Sequence, residues 1–215
     1  MSAKPAIRID FVAAEADTER CNGWGSGALY LQDSPYWYGG NQTNPGPITW
    51  TWVELLEYVG SNWAYLVSEQ TYPFTWLNNV SHPGEVWEVA EARWARLGDE
   101  LAEDEEPELL AFERRHNLAA AWKGVSLPGL SWLRNGHVVW ICADGKTPIR
   151  APFSDCIDEL VRACDAMMHA FGGSNNSRVA RAVERWRVRG EALQNNFAAI
   201  ATGLSPEVPS ILRHC

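Results

Sequence analysis

The sequence predicts an α+β fold, in which a small antiparallel β-meander and hairpins pack with about five α-helices. Ile7, Ile9 and Phe11 recur at every second position, which is the period of a half-buried strand. Asn135-Gly136 lies between two apolar runs and is typical of a two-residue type I′ hairpin turn. Longer stretches repeat apolar residues at three-to-four spacing, which is the pattern of amphipathic helices.

A β-meander is expected near the N-terminus. After the strand that contains Ile7, a second strand is predicted over residues 28–32. Residues 33–35, Asp-Ser-Pro, predict a turn into the aromatic segment 36–38. Residues 39–47 hold too many Gly, Asn and Pro residues to continue the sheet, so we expect them to leave it.

The first long helix has the clearest start signal. Thr51 and Glu54 have capping-box spacing, and Trp50 and Leu55 occupy the positions of a hydrophobic staple. We therefore predict a helix that begins at Thr51 and turns Glu54 towards solvent. Its predicted inner face comprises Trp52, Leu55, Leu56, Val59, Trp63 and Leu66.

A run of acidic residues separates the next two predicted helices. A second helix is expected from Pro83 to Leu97, because proline is favoured in a first turn. Residues 99–108 contain seven acidic side chains and are interpreted as a loop. Pro107 then opens a third helix towards Trp122, since proline at the first helical position loses no intrahelical hydrogen bond.

The C-terminal third is predicted to continue the hairpin and then form two helices. Asp144-Gly145 favours a turn into a strand over residues 147–150. Ser154 is a good N-cap for the fourth helix, and Gly172 suits its C-terminal end. The last helix is expected after Ser177 and up to about Thr202, with these inward residues: Val179, Val183, Trp186, Leu193, Phe197 and Ile200.

Length and composition indicate one domain with a core of its own. The chain has 215 residues, of which 46% are hydrophobic. We predict a single α+β domain over residues 1–215, and leave open a division into lobes 1–105 and 106–204 with a tail at 205–215. The tail begins with a helix-start signal but ends soon afterwards. This suggests a shortened chain or a tail that a partner completes, and the alternative is a frayed C-terminal tail.

The composition also bounds the compartment and the partners. No stretch reaches the roughly 20 apolar residues of a membrane span, and residues 1–20 lack the order of a secretory signal. The five cysteines form no CxxC pair, which favours reduced thiols and a cytoplasmic location. The net charge of −9 disfavours binding to nucleic acid. We expect no membrane partner, no metal and no cofactor.

Charge is unevenly placed along the chain. The acidic stretch 99–108 contrasts with five arginines between residues 178 and 189. The simplest interpretation is a solvated loop and a solvated helix face. The alternatives are an acidic partner that docks on the arginines, or pairing of the two segments with each other.

Twelve tryptophans are several-fold more than ordinary usage of roughly one per hundred residues. Tryptophan collects in cores and at recognition surfaces, because it joins a large apolar area to an N–H donor. We select as binding residues the aromatics that fall off the helical stripes, together with two arginines for an acidic group. These candidates are Tyr36, Trp37, Tyr38, Trp76, Arg181 and Arg185.

Motifs for catalysis are weak. Neither GxGxxG nor GxxxxGK[ST] occurs in the chain. Glu113 and His116 share one helix face through their Glu-x-x-His spacing, but one copy is a weak metal or acid–base signal. Cys142 and His137 have odd spacing on one strand, which places them on opposite faces. We assign no catalytic residue, and the sequence favours a non-enzymatic function.

Three stretches carry a resemblance to a known family. They are the β-meander, residues 50–58, and the acidic stretch together with residues 112–119. Together they resemble the Trp-rich N-terminal region found ahead of the catalytic domain in some bacterial ImmA/IrrE-type zinc metallopeptidases, over most of residues 5–200. The HExxH helix of the catalytic domain is absent, so no zinc-binding residue is carried over. The resemblance implies an accessory module of a bacterial stress-response, defence or mobile-element system.

The function expected from the sequence is non-catalytic binding of a protein or peptide, in a regulatory or sensor module that is an accessory to a zinc metallopeptidase. One alternative is a small-molecule enzyme or sensor with an aromatic-lined pocket, in which Glu113 and His116 act as acid and base. Another is an acidic inhibitor or immunity-type protein, in which residues 99–108 compete for a basic surface.

Overall fold

The computed structural model describes residues 5–41 and 43–201, without the side chains of residues 41, 99 and 190–201. This part contains antiparallel sheets as well as α-helices, which confirms the predicted α+β class. The strands are β1 Ile7–Ala13, β2 Trp24–Leu31, β3 Ser34–Trp37, β4 Gly39–Asn41, β5 Asn44–Gly46, β6 Ile48–Thr51, β7 Leu130–Asn135, β8 Val138–Ala143 and β9 Ile149–Pro152. The α-helices are α1 Asp17–Cys21, α2 Val53–Ser68, α3 Val86–Leu97, α4 Asp99–His116, α5 Phe153–Phe171 and α6 Ser177–Ala201.

Strand β2 is the centre of the first sheet. It pairs with β1 along one edge, while β3 and β6 share the other edge, one after the other. The prediction that the sheet ends near residue 38 is therefore confirmed for the segment that follows directly but not for the chain beyond it. The Gly-rich segment does leave the sheet and forms the separate hairpin β4–β5, but the chain then returns as β6. The turn into β3 lies at Gln32 and Asp33, whose φ angles are both positive, rather than at residues 33–35.

Gly27 explains how β2 accommodates a tryptophan. A Cβ atom at this position would lie 2.4 Å from Cζ2 of Trp52, at the start of α2, and 2.2 Å from the carbonyl oxygen of Asp10. Only glycine fits this close approach, so the ring of Trp52 lies directly over the sheet. Trp52 and Trp122 meet edge to face, with centroids 4.8 Å apart, and extend the aromatic core.

The second sheet is the meander β7-β8-β9. The hairpin between β7 and β8 is confirmed, with Asn135 paired to Val138 across a two-residue loop of Gly136 and His137. Gly136 has a φ of 61° and is the one loop residue with positive φ, which fits a type II′ turn rather than the expected type I′. The turn at Asp144-Gly145 also forms as predicted, and it leads into β9.

Helix α2 runs through the middle of the molecule and packs against α4, α5, α6 and β7. Its predicted inner face is fully buried, which confirms the periodicity. Two details of its start are wrong. Thr51 belongs to β6 and Trp52 is the N-cap, so the helix begins at Val53. Glu54 is buried rather than turned towards solvent, and its carboxylate accepts hydrogen bonds from the Lys123 backbone and Arg178.

The acidic stretch is helical. Helix α4 begins at Asp99, directly after Gly98, whose φ of 114° separates it from α3. Pro107, expected at a helix start, lies inside α4. The loop assignment was wrong because it treated every acid as solvated, whereas Glu105 is buried against α3. The sequence left open a boundary between two lobes at residues 105 and 106, and this position falls within α4.

Two long helices complete the described chain. Helix α5 packs on β1 and α2, and it starts with Pro152 as N-cap rather than with Ser154. Helix α6 packs on α2 and α5, and Val179, Val183 and Trp186 are buried as predicted. The side chains predicted inward further along this helix, and the tail 205–215, lie outside what the structure describes.

The buried hydrophobic residues form two clusters. The larger one joins both sheets to α2, α5 and α6. The smaller one lies between α3, α4 and the segment before them, and comprises Leu77, Val86, Ala90, Trp94 and Leu109. None of the described helices is both long and apolar enough to cross a membrane.

Candidate ligand pocket

A cavity of about 420 Å³ opens at the junction of the two clusters. One wall comes from the 3₁₀ turn Pro83–Glu85 with the start of α3, a second from α4, and a third from β7 and β8. Its volume lies within the usual range of small-molecule sites, roughly 300–1,000 Å³, and such sites favour junctions between packed units. The cavity therefore matches one alternative expected from the sequence, an aromatic-lined pocket that holds both Glu113 and His116.

Aromatic and acidic groups meet where the α3 and α4 walls of the cavity join. Trp87, Leu109 and Phe112 provide apolar surface. The carboxylate of Glu113 accepts a hydrogen bond from Nε1 of Trp87 at 2.9 Å and a longer one from Asn117 at 3.5 Å. A carboxylate has about four acceptor positions, so Glu113 retains capacity for a donor group of a ligand.

Cys142 lies on β8 and lines another wall of the cavity. Its Sγ is 3.7 Å from Nδ1 of His82, which lies 60 residues earlier in the chain. Burial raises the pKa of the Cys142 thiol; a hydrogen bond from the Gly84 backbone opposes this effect and the charge of Glu85 adds to it. The sulfur is therefore a thiol at neutral pH, placed beside an imidazole.

His82 is held from its other side. Its Nε2 lies 3.3 Å from Oε1 of Glu85, and the second oxygen of this carboxylate accepts the Ser81 backbone N–H at 3.1 Å. The ring of His82 also contacts Trp140, with centroids 5.9 Å apart. These contacts fix the orientation of the imidazole and direct Nδ1 at the sulfur.

The contacts of His116 argue against its expected role as a base. Its Nδ1 lies 2.8 Å from the carbonyl oxygen of Trp132, and its Nε2 lies 2.7 Å from Oε2 of Glu69. Both ring nitrogens therefore bond within the protein, so neither is free to exchange a proton with a ligand. Glu113 and His116 line the same pocket, but they do not form an acid–base pair.

Glu69 explains why His116 is held so firmly. Burial raises the pKa of this carboxyl, but hydrogen bonds and charge from Arg115 and His116 outweigh burial and lower the pKa to about 2. Arg115 forms both bonds at 2.8 Å, in the bidentate arrangement that guanidinium and carboxylate groups favour. This cluster joins the C-terminal end of α2 to the end of α4 behind the pocket.

Two of the selected binding residues lie in the core. Trp37 is 1% exposed and donates from Nε1 to the Pro128 carbonyl oxygen, and Tyr36 donates its hydroxyl to the Gly129 carbonyl oxygen at 2.7 Å. Burial and the charge of Asp144 raise the pKa of Tyr36 to about 12, although a backbone hydrogen bond opposes this. Both side chains hold the rim of the pocket at Gly129, so we correct their assignment from surface contacts to packing residues.

The other two aromatics are partly buried. Tyr38 follows β3, and Trp76 stacks on Phe74 with centroids 5.5 Å apart. The indole of Trp76 also donates to Glu105 at 3.2 Å and lies beneath the guanidinium of Arg93. A binding role for these residues stays a prediction.

The arginine surface and the acidic stretch do not pair with each other in the described side chains. Arg178 bonds to Glu54 and Glu57, while Glu105 pairs with Arg93 on α3. Arg181 is exposed. Arg185 is also exposed and bonds Ser61 at 2.5 Å, and its aliphatic stem lies against Gly60 of α2. A role of Arg181 and Arg185 in holding an acidic group stays a prediction.

Sequence reasoning missed His82 as the neighbour of Cys142. It compared Cys142 with His137, which lies exposed in the hairpin turn. The partner arrives through tertiary packing of the 3₁₀ turn on β8, so no local spacing could reveal it. The one available signal was the predicted start of a helix at Pro83. His82 directly precedes this start and therefore lies in a loop, where functional side chains are often found.

Among the described side chains, no group of three or more His, Cys, Asp or Glu residues is placed to hold a metal ion. No protein-family model, curated protein or solved structure matches the chain. The resemblance to the Trp-rich region of ImmA/IrrE-type metallopeptidases therefore stays a prediction.

Proposed function

We propose that this protein binds a small organic molecule in the pocket between α3, α4 and β8. The observation that carries the proposal is a cavity of about 420 Å³ that combines aromatic walls with a few convergent polar groups. Binding sites for small molecules have this composition, since apolar walls provide affinity and isolated polar groups orient the ligand.

The charges around the cavity favour a ligand that donates hydrogen bonds. Glu113 and Asp144 line the cavity, and Glu85 lies beside it, whereas Lys146 is exposed at the rim. An amino or amidinium group would find the remaining acceptor positions of Glu113, and an apolar ring would lie against Trp87 and Phe112. The preferred ligand class is therefore a small aromatic or aliphatic amine.

Native mass spectrometry of the protein purified from cells tests this proposal. We expect a retained small molecule with the wild-type protein and its loss from Ser131→Phe, because Ser131 lines the cavity and the larger ring fills it. Ser126→Phe is the matched control, since Ser126 is exposed away from the cavity. Equal retention by both variants would show that the molecule binds elsewhere, and a wild-type protein that retains nothing would count against the proposal.

A second candidate function is the protein-binding accessory module expected from the sequence, in a bacterial stress-response, defence or mobile-element system with a zinc metallopeptidase. It is supported by a shallow groove of about 300 Å³ along α3, lined by Trp76, Val89, Ala92, Arg93 and Arg96. Exposed aromatic and arginine side chains are common in protein interfaces. Val89 is 37% exposed at the groove, so its apolar surface is available to a partner.

Affinity purification from the native cell tests this second candidate. Val89→Asp should release a stoichiometric protein partner without unfolding the chain, because a new charge at a partly exposed site disrupts an apolar contact. Val12→Asp is the control, since Val12 is 69% exposed on β1. A partner that remains on Val89→Asp protein would exclude the groove as its binding site.

A further inference from the structure

We infer that Cys142 is the nucleophile of an acyl-transfer site in this pocket, with His82 as its general base and Glu85 as the residue that positions His82. The substrate class is a small ester or thioester that carries an amino group, which the acidic lining of the cavity favours. The inference rests on the proposed function, because the substrate must enter the same cavity.

The three side chains have the order that an activated nucleophile requires. A nucleophile needs a base within hydrogen-bond reach, and the base needs a third group that orients it. Sγ of Cys142 is 3.7 Å from Nδ1 of His82, which is within range for a bond to sulfur, and Nε2 of His82 is 3.3 Å from Glu85. Glu85 is itself fixed by the backbone N–H of Ser81.

The contacts of His82 set its proton positions. The Glu85 carboxylate can only accept and lies 3.3 Å from Nε2, so it favours the tautomer with the proton on Nε2. Nδ1 is then left with a free lone pair directed at the thiol. Because burial keeps the Cys142 sulfur protonated, the resting nucleophile is a thiol, and its proton moves to His82 during attack.

The reaction is balanced without an external oxidant or reductant. Sγ attacks the carbonyl carbon while its proton passes to Nδ1 of His82. The bond to the alkoxide or thiolate leaving group breaks, and that group takes the proton from Nδ1. Cys142 is left as a thioester; water then attacks the thioester with His82 as base, which releases a carboxylic acid and restores the thiol.

Gly84 shows how closely this arrangement is packed. A Cβ atom on Gly84 would lie 3.3 Å from Nδ1 of His82 and 3.4 Å from Cβ of Cys142. The backbone of Gly84 therefore packs closely against both His82 and Cys142. The pocket also distinguishes Cys142 from Cys156 and Cys164, which are buried in the main core away from the cavity.

The test uses p-nitrophenyl acetate with the full-length protein. We expect a burst of about one equivalent of p-nitrophenolate and one acetyl group on Cys142, located by peptide mass spectrometry. Cys142→Ala should lose the burst. His82→Gln should slow acetylation by about a hundredfold, as expected for loss of a general base.

Gly84→Ala provides a variant that removes no functional group. Its methyl group should displace the imidazole of His82 by a few tenths of an ångström and slow acetylation by about threefold, whereas Gly173→Ala, which places its methyl in open space, should react like the wild-type protein. Circular dichroism checks that each variant is folded.

The inference is overturned if Cys142 of the wild-type protein is not acetylated, or if His82→Gln and Gly84→Ala react at the wild-type rate. Failure here is separable from failure of the proposed function. A small molecule that is retained by wild-type protein and lost from Ser131→Phe would leave the binding pocket in place even when Cys142 is inert.

Discussion

Two polar clusters lie at different points along the contact between α3 and α4, and they differ in how fully their groups are bonded. Away from the pocket, the buried carboxylate of Glu105 accepts hydrogen bonds from Trp76 at 3.2 Å, Trp94 at 2.9 Å and Arg93 at 3.3 Å. At the pocket, Sγ of Cys142 has a hydrogen bond from the Gly84 backbone and a long contact with the partly exposed His82. The first cluster is saturated, whereas the second borders a cavity.

This difference separates structural from functional polar groups. A buried charge stabilises a fold only when its hydrogen bonds are all made, and removal of one partner leaves the others unsatisfied. Polar groups that face a cavity and retain free positions contribute little to stability, but they are available to a ligand. We therefore expect substitutions in the Glu105 cluster to affect unfolding, and substitutions in the Cys142 cluster to affect chemistry.

The largest effect is expected for Glu105→Gln. This change removes the charge that holds two indole N–H groups and Arg93, and it should lower the free energy of unfolding by about 3 kcal/mol. Burial raises the pKa of Glu105, but Trp94, Arg93 and Trp76 together lower it, so the group is a carboxylate at neutral pH. Urea unfolding at pH 7 measures the loss.

Glu106→Gln is the matched control for this variant. Glu106 is the next residue of α4 and is exposed, so its substitution should change stability by less than about 0.5 kcal/mol. Equal stability of the two variants would mean that the Glu105 cluster is not a structural centre.

An intermediate effect is expected from acid. The folded-state pKa of Glu69 is lowered to about 2, below its value in the unfolded chain, so its contribution is complete above about pH 5 and is lost as the pH falls towards 2. Allowing for partial exposure, the loss should be about 2 kcal/mol. Urea unfolding between pH 6 and 2 measures it.

Glu69→Gln isolates this contribution. The variant cannot titrate at this position, so its stability should be lower at pH 6 but should depend less on pH than that of wild-type protein. An unchanged slope in the variant would assign the acid sensitivity to other carboxylates.

The smallest effect on stability is expected for His82→Gln. The side chain of His82 is 21% exposed and its contact with Glu85 is long, so the free energy of unfolding should change by less than about 1 kcal/mol. The same protein should be strongly impaired in acetylation. A loss of stability comparable to that of Glu105→Gln would place His82 with the structural cluster and remove the contrast.

The sequence was sufficient for features that depend on local periodicity. Strand β1, the inner face of α2 and the hairpin at Gly136 were all predicted, because alternation, three-to-four spacing and turn residues each act over a few positions. Buried acids were not predicted. Glu54 and Glu105 were interpreted as solvated, since amphipathic patterns assign charge to the outside and do not reveal partners on distant elements.

The same limit applies to the pocket. Trp37 and Trp76 both occur in turn-rich sequence, yet one is buried beside Pro128 and the other lies near the surface over Phe74. Their environments depend on how the loop around residue 129 and helix α3 pack. Cys142 and His82 likewise meet only because the turn before α3 folds onto β8.

The most direct test of the contrast between the two clusters is an NMR titration with benzylamine, with benzoate as the charge-reversed control. The indole N–H signal of Trp87, which bonds to Glu113, reports on the pocket, and that of Trp94 reports on the Glu105 cluster. We expect benzylamine to shift the Trp87 signal in a saturable manner and to bind more tightly than benzoate. The Trp94 signal should shift less, because its ring contacts the ligand site only through Trp87. Shifts confined to Trp94, or equal responses to both compounds, would contradict the assignment of the ligand site.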